Sequence, residues 1–495
     1  MFVWHSIDRR ENLKSVLLTL PADYVDPNVV SLLSSGLSTN VRGLLVEEGY
    51  VDKDYRSVYY NFYAKKSIKY RRNCIRLHLF TDEVRMNNVC SGLQLEDGTS
   101  TDYDGMDDAL SEEYLGFIVL RPTYRNNIGR SVISPRALDV TGDIIKSEHK
   151  VHILGHRLKA VGFPWMMQHT DISVCSHVAC WSILRHYSER YSKYAEFLLH
   201  DITKMAQPVD VGGLIPSIGL KGEHAERIFL AAGTYPMLIE RASSKESFDR
   251  QMLAYLESGF PLMAILPARR HAVTVVGVRW KAGYRPELQA PGSAFGMVEA
   301  LLASDDTQLP YVSIRAGERE SQSAYMISEI ESFIVALPDK IFLPALQVDR
   351  LALWAREAVH EFRFPDAGDC VIRYYVTTVA ALRRDFRERI AHYDPLLVER
   401  VLQLPMSQFV WIVEYSSTRQ WDREQIAVRL IVDATASGVD NTPILAMFDS
   451  CLAAVLDDKS GAELETEEFE LEPADEVGYR RVRSNLDRYL DASPI

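Results

Sequence analysis

Around Pro261 the chain changes from helical to extended patterning, and no other feature of the sequence restricts the possible folds as much. Ahead of the switch lie KGEHAERIFLAAG (221–233), closed by Gly233, and KESFDRQMLAYLESG (245–259), closed by Gly259, both of helical type. Behind it come PLMAIL, HAVTVVGV, YVSIR and SFIVAL, short apolar runs of strand type. A helical half followed by an antiparallel-sheet half predicts an α+β domain of two lobes, and the cleft between such lobes is where a site forms.

The helical half contains the stretch Gln168–Tyr187, QHTDISVCSHVACWSILRHY. Asp171 and Ser173 are candidate N-caps, and Val174, Val178, Trp181 and Leu184 follow at helical spacing as one apolar stripe. Cys175 then falls in the first turn, where unsatisfied N–H groups and the positive end of the helix dipole favour a thiolate nucleophile. Gln168, seven residues upstream, can aim a side-chain N–H at the same point as the backbone N–H of Cys175, and two such donors make an oxyanion hole. Cys180, five residues on, lies about 140° around the helix and reads as core. A zinc ion would have to collect His169, Cys175, His177, Cys180 and His186; the cysteine spacing is not that of structural zinc sites, and no metal is expected. On its own the stretch would read as an amphipathic core helix with two small buried cysteines.

His271 opens the strand HAVTVVGV after the turn PARR, a position from which an imidazole projects into the cleft and can exchange a proton with the thiol. A carboxylate on the neighbouring strand would fix the imidazole tautomer, and VEALLASDDTQLPY offers Asp305 and Asp306. By propensity MVEALLA is helical, so this placement relies on its sheet context. Consecutive residues of a strand point to opposite faces, so only one of the two aspartates is expected to reach the ring. Arg269 and Arg270 are candidate contacts for an acidic or C-terminal carboxylate group of a substrate, and Gly212 and Gly213 for its backbone.

In the order Gln168, Cys175 at a helix start, His271 in HAVTVVG and Asp305 in SDDTQLPY, the chain resembles the papain-like cysteine peptidases, in particular bacterial members of the bacteriocin-leader peptidase type. The resemblance covers about residues 160–340 and implies a papain-like two-lobed fold. It also implies that Cys175 is the nucleophile, His271 the general base and acid, Asp305 the orienter and Gln168 an oxyanion donor. The expected activity is hydrolysis of a peptide or isopeptide bond through an acyl-thioester, with no cofactor. The same triad serves acyl transfer or deamidation, and the rival of another class is an inactive papain-like module that binds proteins through its flanking domains. Two departures stand out. Ser176 follows the nucleophile where a glycine is common, and residues 279–296 lengthen the path to Asp305.

A chain of 495 residues needs more than one core. The expected division is an N-terminal mixed α/β domain (1–150), the papain-like domain (151–340), a C-terminal α+β domain (341–456), and an acidic segment with tail (457–495). In the first, CIRLHLF (74–80) and YLGFIVLRP (114–122) read as strands, and NNVCSGLQLEDGTSTDYDGMDD between them as loop. In the third, Leu351, Trp354, Ala355, Ala358, Val359 and Phe362 make a helical face, and QFVWIVEY and IAVRLIVDA read as strands. Ten acidic residues against one lysine between Asp457 and Glu476 account for −9 of the net charge of −13. This segment is expected to be mobile and to fold over Arg269 and Arg270. The remaining −4 gives nucleic acid no attraction. No stretch of 18 apolar residues is present, the start is charged where a leader would be apolar, and six sparse cysteines suit a reducing compartment, so a cytoplasmic protein without membrane contact is expected.

Overall fold

The computed structural model describes residues 1–81, 103–169, 173–208, 220–281, 292–317, 321, 324–437, 444–457, 465–471, 479–481 and 485. The chain is a mixture of helices and largely antiparallel sheets, of α+β type. It separates into two compact units, one of Met1–Leu238, Pro261–Gly277 and Leu301–Ile334, the other of Ile239–Phe260, Val278–Ala300 and Val335–Ile495. These composite units cut across the linear division at residues 150, 340 and 456.

The first sheet comprises β1 (Phe2–Ser6), β2 (Gly43–Tyr50), β3 (Cys74–Phe80), β4 (Tyr114–Leu120), β5 (Ser131–Ile133), β7 (Ser147–Ile153) and β8 (His156–Trp165); the two-residue β6 (Asp143–Ile144) belongs elsewhere. Its order is β1-β2-β3-β4-β5-β8-β7, antiparallel throughout. On one face Ile75, Leu77 and Leu79 of β3 join a core built with Leu13, Leu17, Val29 and Leu33 from the helices Arg10–Thr19 and Pro27–Gly36. The other face of β3 is also buried, although it carries Arg76 and His78, because Glu47 of β2 pairs with both, at 2.7 and 3.2 Å. A helix, Tyr103–Glu113, occupies the end of the segment expected as loop. Asp107 anchors it by accepting hydrogen bonds from His156 Nδ1 and from the Arg157 N–H, partners remote in sequence that a composition-based reading does not register.

This unit buries His78, His149, His169 and His186 almost completely. Burial lowers His78 to about 4 and His186 to about 3, and it lowers His149 and His169 too. Below about pH 6.5 the unfolded chain therefore takes up protons that the folded chain refuses, and stability falls as pH drops toward 4. The urea midpoint at pH 5 is expected to lie clearly below that at pH 7.5; equal midpoints would mean that these rings are solvated.

The second sheet contains β9 (Tyr235–Glu240), β10 (Leu262–Leu266), β11 (His271–Trp280), β13 (Val298–Ser304), β14 (Val312–Arg315), β15 (Tyr325–Met326) and β16 (Ser332–Leu337), in the order β15-β14-β13-β11-β10-β16-β9, with β6 paired to β11. MVEALLA is thus strand from Val298 onward, and its buried alternation with β11 overrides helical propensity.

The third sheet joins β12 (Gly292–Ser293), β17 (Cys370–Thr378), β18 (Phe409–Ser417), β19 (Val428–Asp433), β20 (Ile444–Phe448), β21 (Leu452–Asp457) and β22 (Glu465–Glu470) in numerical order. The helices Val379–Glu388 and Pro395–Gln403 cover it through Leu382, Phe386, Leu397 and Val401. The helix Ala345–Ala358 is present, but the residues it buries are Ala345, Val348, Asp349, Ala352 and Ala355. Trp354, placed by the sequence pattern on the packed face, is 54 % exposed, because the small alanines rather than the indole face the strands. The described stretch 465–471 of the acidic segment also departs from expectation, since β22 is an edge strand. Phe469 and Leu471 anchor it in the core, and Glu467 pairs with Arg400 at 2.8 Å. A charged edge of this kind blocks further strand addition.

Candidate active site

Cys175 is the first residue of the helix Cys175–Arg190, and it is half-buried. The cap is neither of the expected residues. Val174 holds the cap position, its N–H donating to Nδ1 of His177, while the Ser173 hydroxyl accepts from the His169 N–H; Asp171 lies outside the described residues. From Ser176 to Tyr187 the helix is buried on every face, since it packs against β7 and β8 of the first sheet and β10 of the second. The predicted stripe of Val178, Trp181 and Leu184 is therefore only one side of a central helix. Another side carries Arg185, paired with Asp54 at 3.1 Å. Cys180 is fully buried, its sulfur 4.0 Å from that of Met263, and burial pushes its thiol pKa up. The other residues of the zinc reading are dispersed, His169 bonding Tyr63 and His186 bonding Ser147.

His271 opens β11, opposite Leu266 at the end of β10. The turn between them is the short helix Pro267–Arg269 followed by Arg270 at φ 49°, a left-handed conformation rare outside glycine. Gly277, the glycine of HAVTVVG, has a physical reason: a Cβ there would stand 2.4 Å from the carbonyl oxygen of Asp143, where β6 crosses β11.

Asp305 follows β13 and is completely buried. Its Oδ1 accepts hydrogen bonds from His271 Nε2 at 3.1 Å and from the N–H and hydroxyl of Thr307, both at 2.8 Å. Its Oδ2 accepts from the Tyr325 hydroxyl at 2.7 Å and from Gln308 Nε2 at 3.2 Å. The indole N–H of Trp165, the last residue of β8, donates to the backbone carbonyl of Asp305 and so ties the site to the first sheet. Cys175 lies close enough to the same His271 ring for its side chain to help raise the imidazole pKa. With Nε2 taken by Asp305, the ring nitrogen on the other side is Nδ1.

Burial works against charge on His271, yet the hydrogen bonds to Asp305 and Cys175 and the charges of Asp305 and Asp306 raise its pKa to about 10. Burial likewise opposes ionisation of Asp305, and the hydrogen bonds and charge of His271, with those of Tyr325 and Thr307, bring it down to about 2. A raised histidine contributes stability fully below about pH 6.5 and loses it through about 10; a depressed aspartate contributes fully above about 4 and loses it through about 2. The stability contributed by the ion pair is therefore full between about pH 4 and 6.5, while both groups stay charged in the folded chain between about 2 and 10.

Asp306 does not point away from the ring as strand alternation predicts. Its Oδ1 lies 3.7 Å from the same Nε2, because both aspartates sit past the strand end, where alternation no longer applies. Of the expected substrate contacts, Arg269 is engaged by Glu329 at 3.0 Å and by the carbonyl of Ala324, so a guanidinium expected to greet substrate or the acidic segment serves the turn instead. Arg270 is exposed beside His271. Gln168 is half-buried on the stretch leading from β8 to the cysteine helix. Gly212 and Gly213 lie outside the described residues.

Sequence reasoning missed Thr307, Gln308 and Tyr325. Thr307 follows Asp305 as the Asp-x-Thr of an Asx-type turn and was legible as such; Gln308, which donates through its side-chain amide, and Tyr325 carry no such signal. The Tyr325 ring stacks on His271, centroids 6.1 Å apart at 27°, and its hydroxyl holds Asp305. Tyr325→Phe keeps the stacking and removes one hydrogen bond to a charged group, so kcat is expected to fall by roughly tenfold, with KM unchanged. A change in KM alone would make Tyr325 a substrate contact.

Compared with protein-family models, curated proteins and solved structures, the chain has no match in any of the three. Among the described residues no helix is long and apolar enough to cross a membrane.

Proposed function

We propose that the segment of about residues 160–340 is a papain-like module and that the protein is a cysteine-dependent hydrolase of peptide or isopeptide bonds. The observation that carries this reading is a single imidazole with the thiol of a helix N-terminus close beside it and, bonded to its Nε2, a buried, fully hydrogen-bonded carboxylate. The Cys175 thiolate attacks the substrate carbonyl carbon, forming the C–S bond while the carbonyl electron pair moves onto oxygen. The backbone N–H of Cys175 and the side-chain amide of Gln168 stabilise that oxyanion. His271, held as imidazolium by Asp305, then gives its proton to the leaving nitrogen as the C–N bond breaks. Water attacks the thioester, His271 accepts its proton, and the carboxylic acid leaves with the thiol restored. Cys74, Cys175, Cys180, Cys370 and Cys451 are all free thiols, which suits a cytoplasmic protein acting on a protein or peptide substrate.

Limiting alkylation followed by peptide mapping tests the reading. Cys175 is half-buried beside His271, whereas Cys74, Cys180 and Cys370 are buried, and burial raises the Cys370 thiol to about 11. Cys175 is expected to label at least tenfold faster than the half-buried Cys451 at pH 6, and His271→Ala to erase that advantage. If Cys175 reacts no faster than Cys451, the hydrolase reading falls.

A further inference from the structure

Asp306 plays no part in the proposed chemistry, and its environment is unusual. Its side chain is 2 % exposed, and neither carboxylate oxygen accepts a hydrogen bond from any described donor. The polar groups near it include His271, Asp305 and Tyr325. A carboxylate taken out of water and given no donor costs several kcal/mol, so natural proteins retain one where a proton or a cation balances it.

Nε2 of His271 and one oxygen from each of Asp305 and Asp306 all lie within 4.8 Å of one another. The measured edges are 3.1 Å from Nε2 to Asp305 Oδ1 and 3.7 Å from Nε2 to Asp306 Oδ1. A tetrahedral ion bonded to imidazole nitrogen and carboxylate oxygen at about 2.0–2.1 Å has ligand–ligand edges of about 3.3–3.4 Å. These two edges bracket that value, so small shifts of the rings and carboxylates would complete one face of a tetrahedron. Asp305 already has the outer support that ligating carboxylates carry, from Thr307, Gln308 and Tyr325.

We propose that His271, Asp305 and Asp306 form a binding site for a divalent zinc-like ion, with a fourth position open to water. The ligand set is one nitrogen and two oxygens, and it does not include Cys175. An ion here displaces the Nε2 proton and separates His271 from Asp305. If the hydrolase reading holds, the site is inhibitory, since an imidazole coordinated at Nε2 no longer has its orienting carboxylate.

The test uses the full-length protein, stripped of metal with a chelator, and Zn2+ alone as the probe. Affinity is measured by competition with a chromophoric zinc chelator, without turnover, so its outcome is independent of whether the protein hydrolyses anything. The wild type is expected to bind one equivalent, Cys175→Ala to bind within about twofold of it, and Asp306→Asn to lose at least tenfold while unfolding at the wild-type temperature. X-ray absorption at the zinc edge on the wild type loaded with one equivalent guards against a variant that misfolds: a first shell of nitrogen and oxygen alone is expected. No binding, a sulfur neighbour at about 2.3 Å, or loss of binding in Cys175→Ala with retention in Asp306→Asn would each overturn the site.

Discussion

Cys175→Ala is expected to remove all hydrolysis of a fluorogenic peptide-amide library, and His271→Ala to lower kcat/KM by two to four orders of magnitude, the usual worth of positioned proton transfer. Asp305→Ala should cost a comparable factor, because His271 would lose the 3.1 Å hydrogen bond that fixes its ring and the charge that keeps it protonated. Asp306→Asn should change turnover by less than threefold in chelator-treated protein. The distinction rests on hydrogen bonding rather than proximity. Both carboxylates approach Nε2, but Asp305 accepts hydrogen bonds on both oxygens, and Asp306 accepts none from a described donor. Retention of full activity by Asp305→Ala would dissolve the triad, and the reverse ranking of the two aspartates would reassign its third member. Cys180→Ala is expected to cost stability and not rate, since its thiol lies deep against Met263.

In the second unit, Glu414→Ala should destabilise the fold by about 3–5 kcal/mol, read from the shift of the urea transition. Glu414 stands between two guanidinium groups in adjacent strands, taking Arg373 Nη1 at 2.7 Å on one oxygen and Arg429 Nη2 at 2.9 Å on the other. Glu257 completes the series by pairing with Arg373 at 2.8 Å, and all four residues are buried. The register places them together, since Arg373 faces Glu414 across β17 and β18, and Glu414 faces Arg429 across β18 and β19. The charges of these four sum to zero, and Arg481 and Asp385 also act on the cluster. Removing Glu414 leaves Arg373 with Glu257 and takes from Arg429 the carboxylate it bonds directly, leaving it the Tyr393 hydroxyl, the Arg480 carbonyl and the charge of Asp385. The cost is thus mainly that of stranded charge rather than of a lost bond. Replacing Arg373, Glu414, Glu257 and Arg429 together by apolar residues of matching volume is expected to cost far less than Glu414→Ala alone. A loss below 1 kcal/mol for Glu414→Ala would mean that water reaches the pair.

Local signals in the sequence were sufficient wherever neighbours along the chain decide the outcome. The first-turn position of Cys175 follows from helical periodicity, and the start of β11 at His271 follows from the turn and the β-branched run; Cys180 is buried as expected, but because the helix is covered on every face and not through its angle to Cys175. Strand patterning likewise located β3, β4, β18 and β19. What periodicity could not reach were decisions made by residues far apart in sequence. The cysteine helix is buried all round because two sheets meet it, and no single-helix pattern encodes a second covering layer. Asp306 turns toward His271 because strand geometry ends at Ser304. Glu465–Glu470 of the acidic run becomes an edge strand because β21 offers it a ladder and Phe469 and Leu471 a core, contacts that outweigh the repulsion visible in its composition. Tyr325 reaches Asp305 across 20 residues, and Arg269 is drawn to Glu329 across 60. Sequence alone determined which residues carry reactive groups and on what kind of element; only the tertiary structure decided which of those groups meet, because hydrogen bonding and burial depend on distance in space and not along the chain.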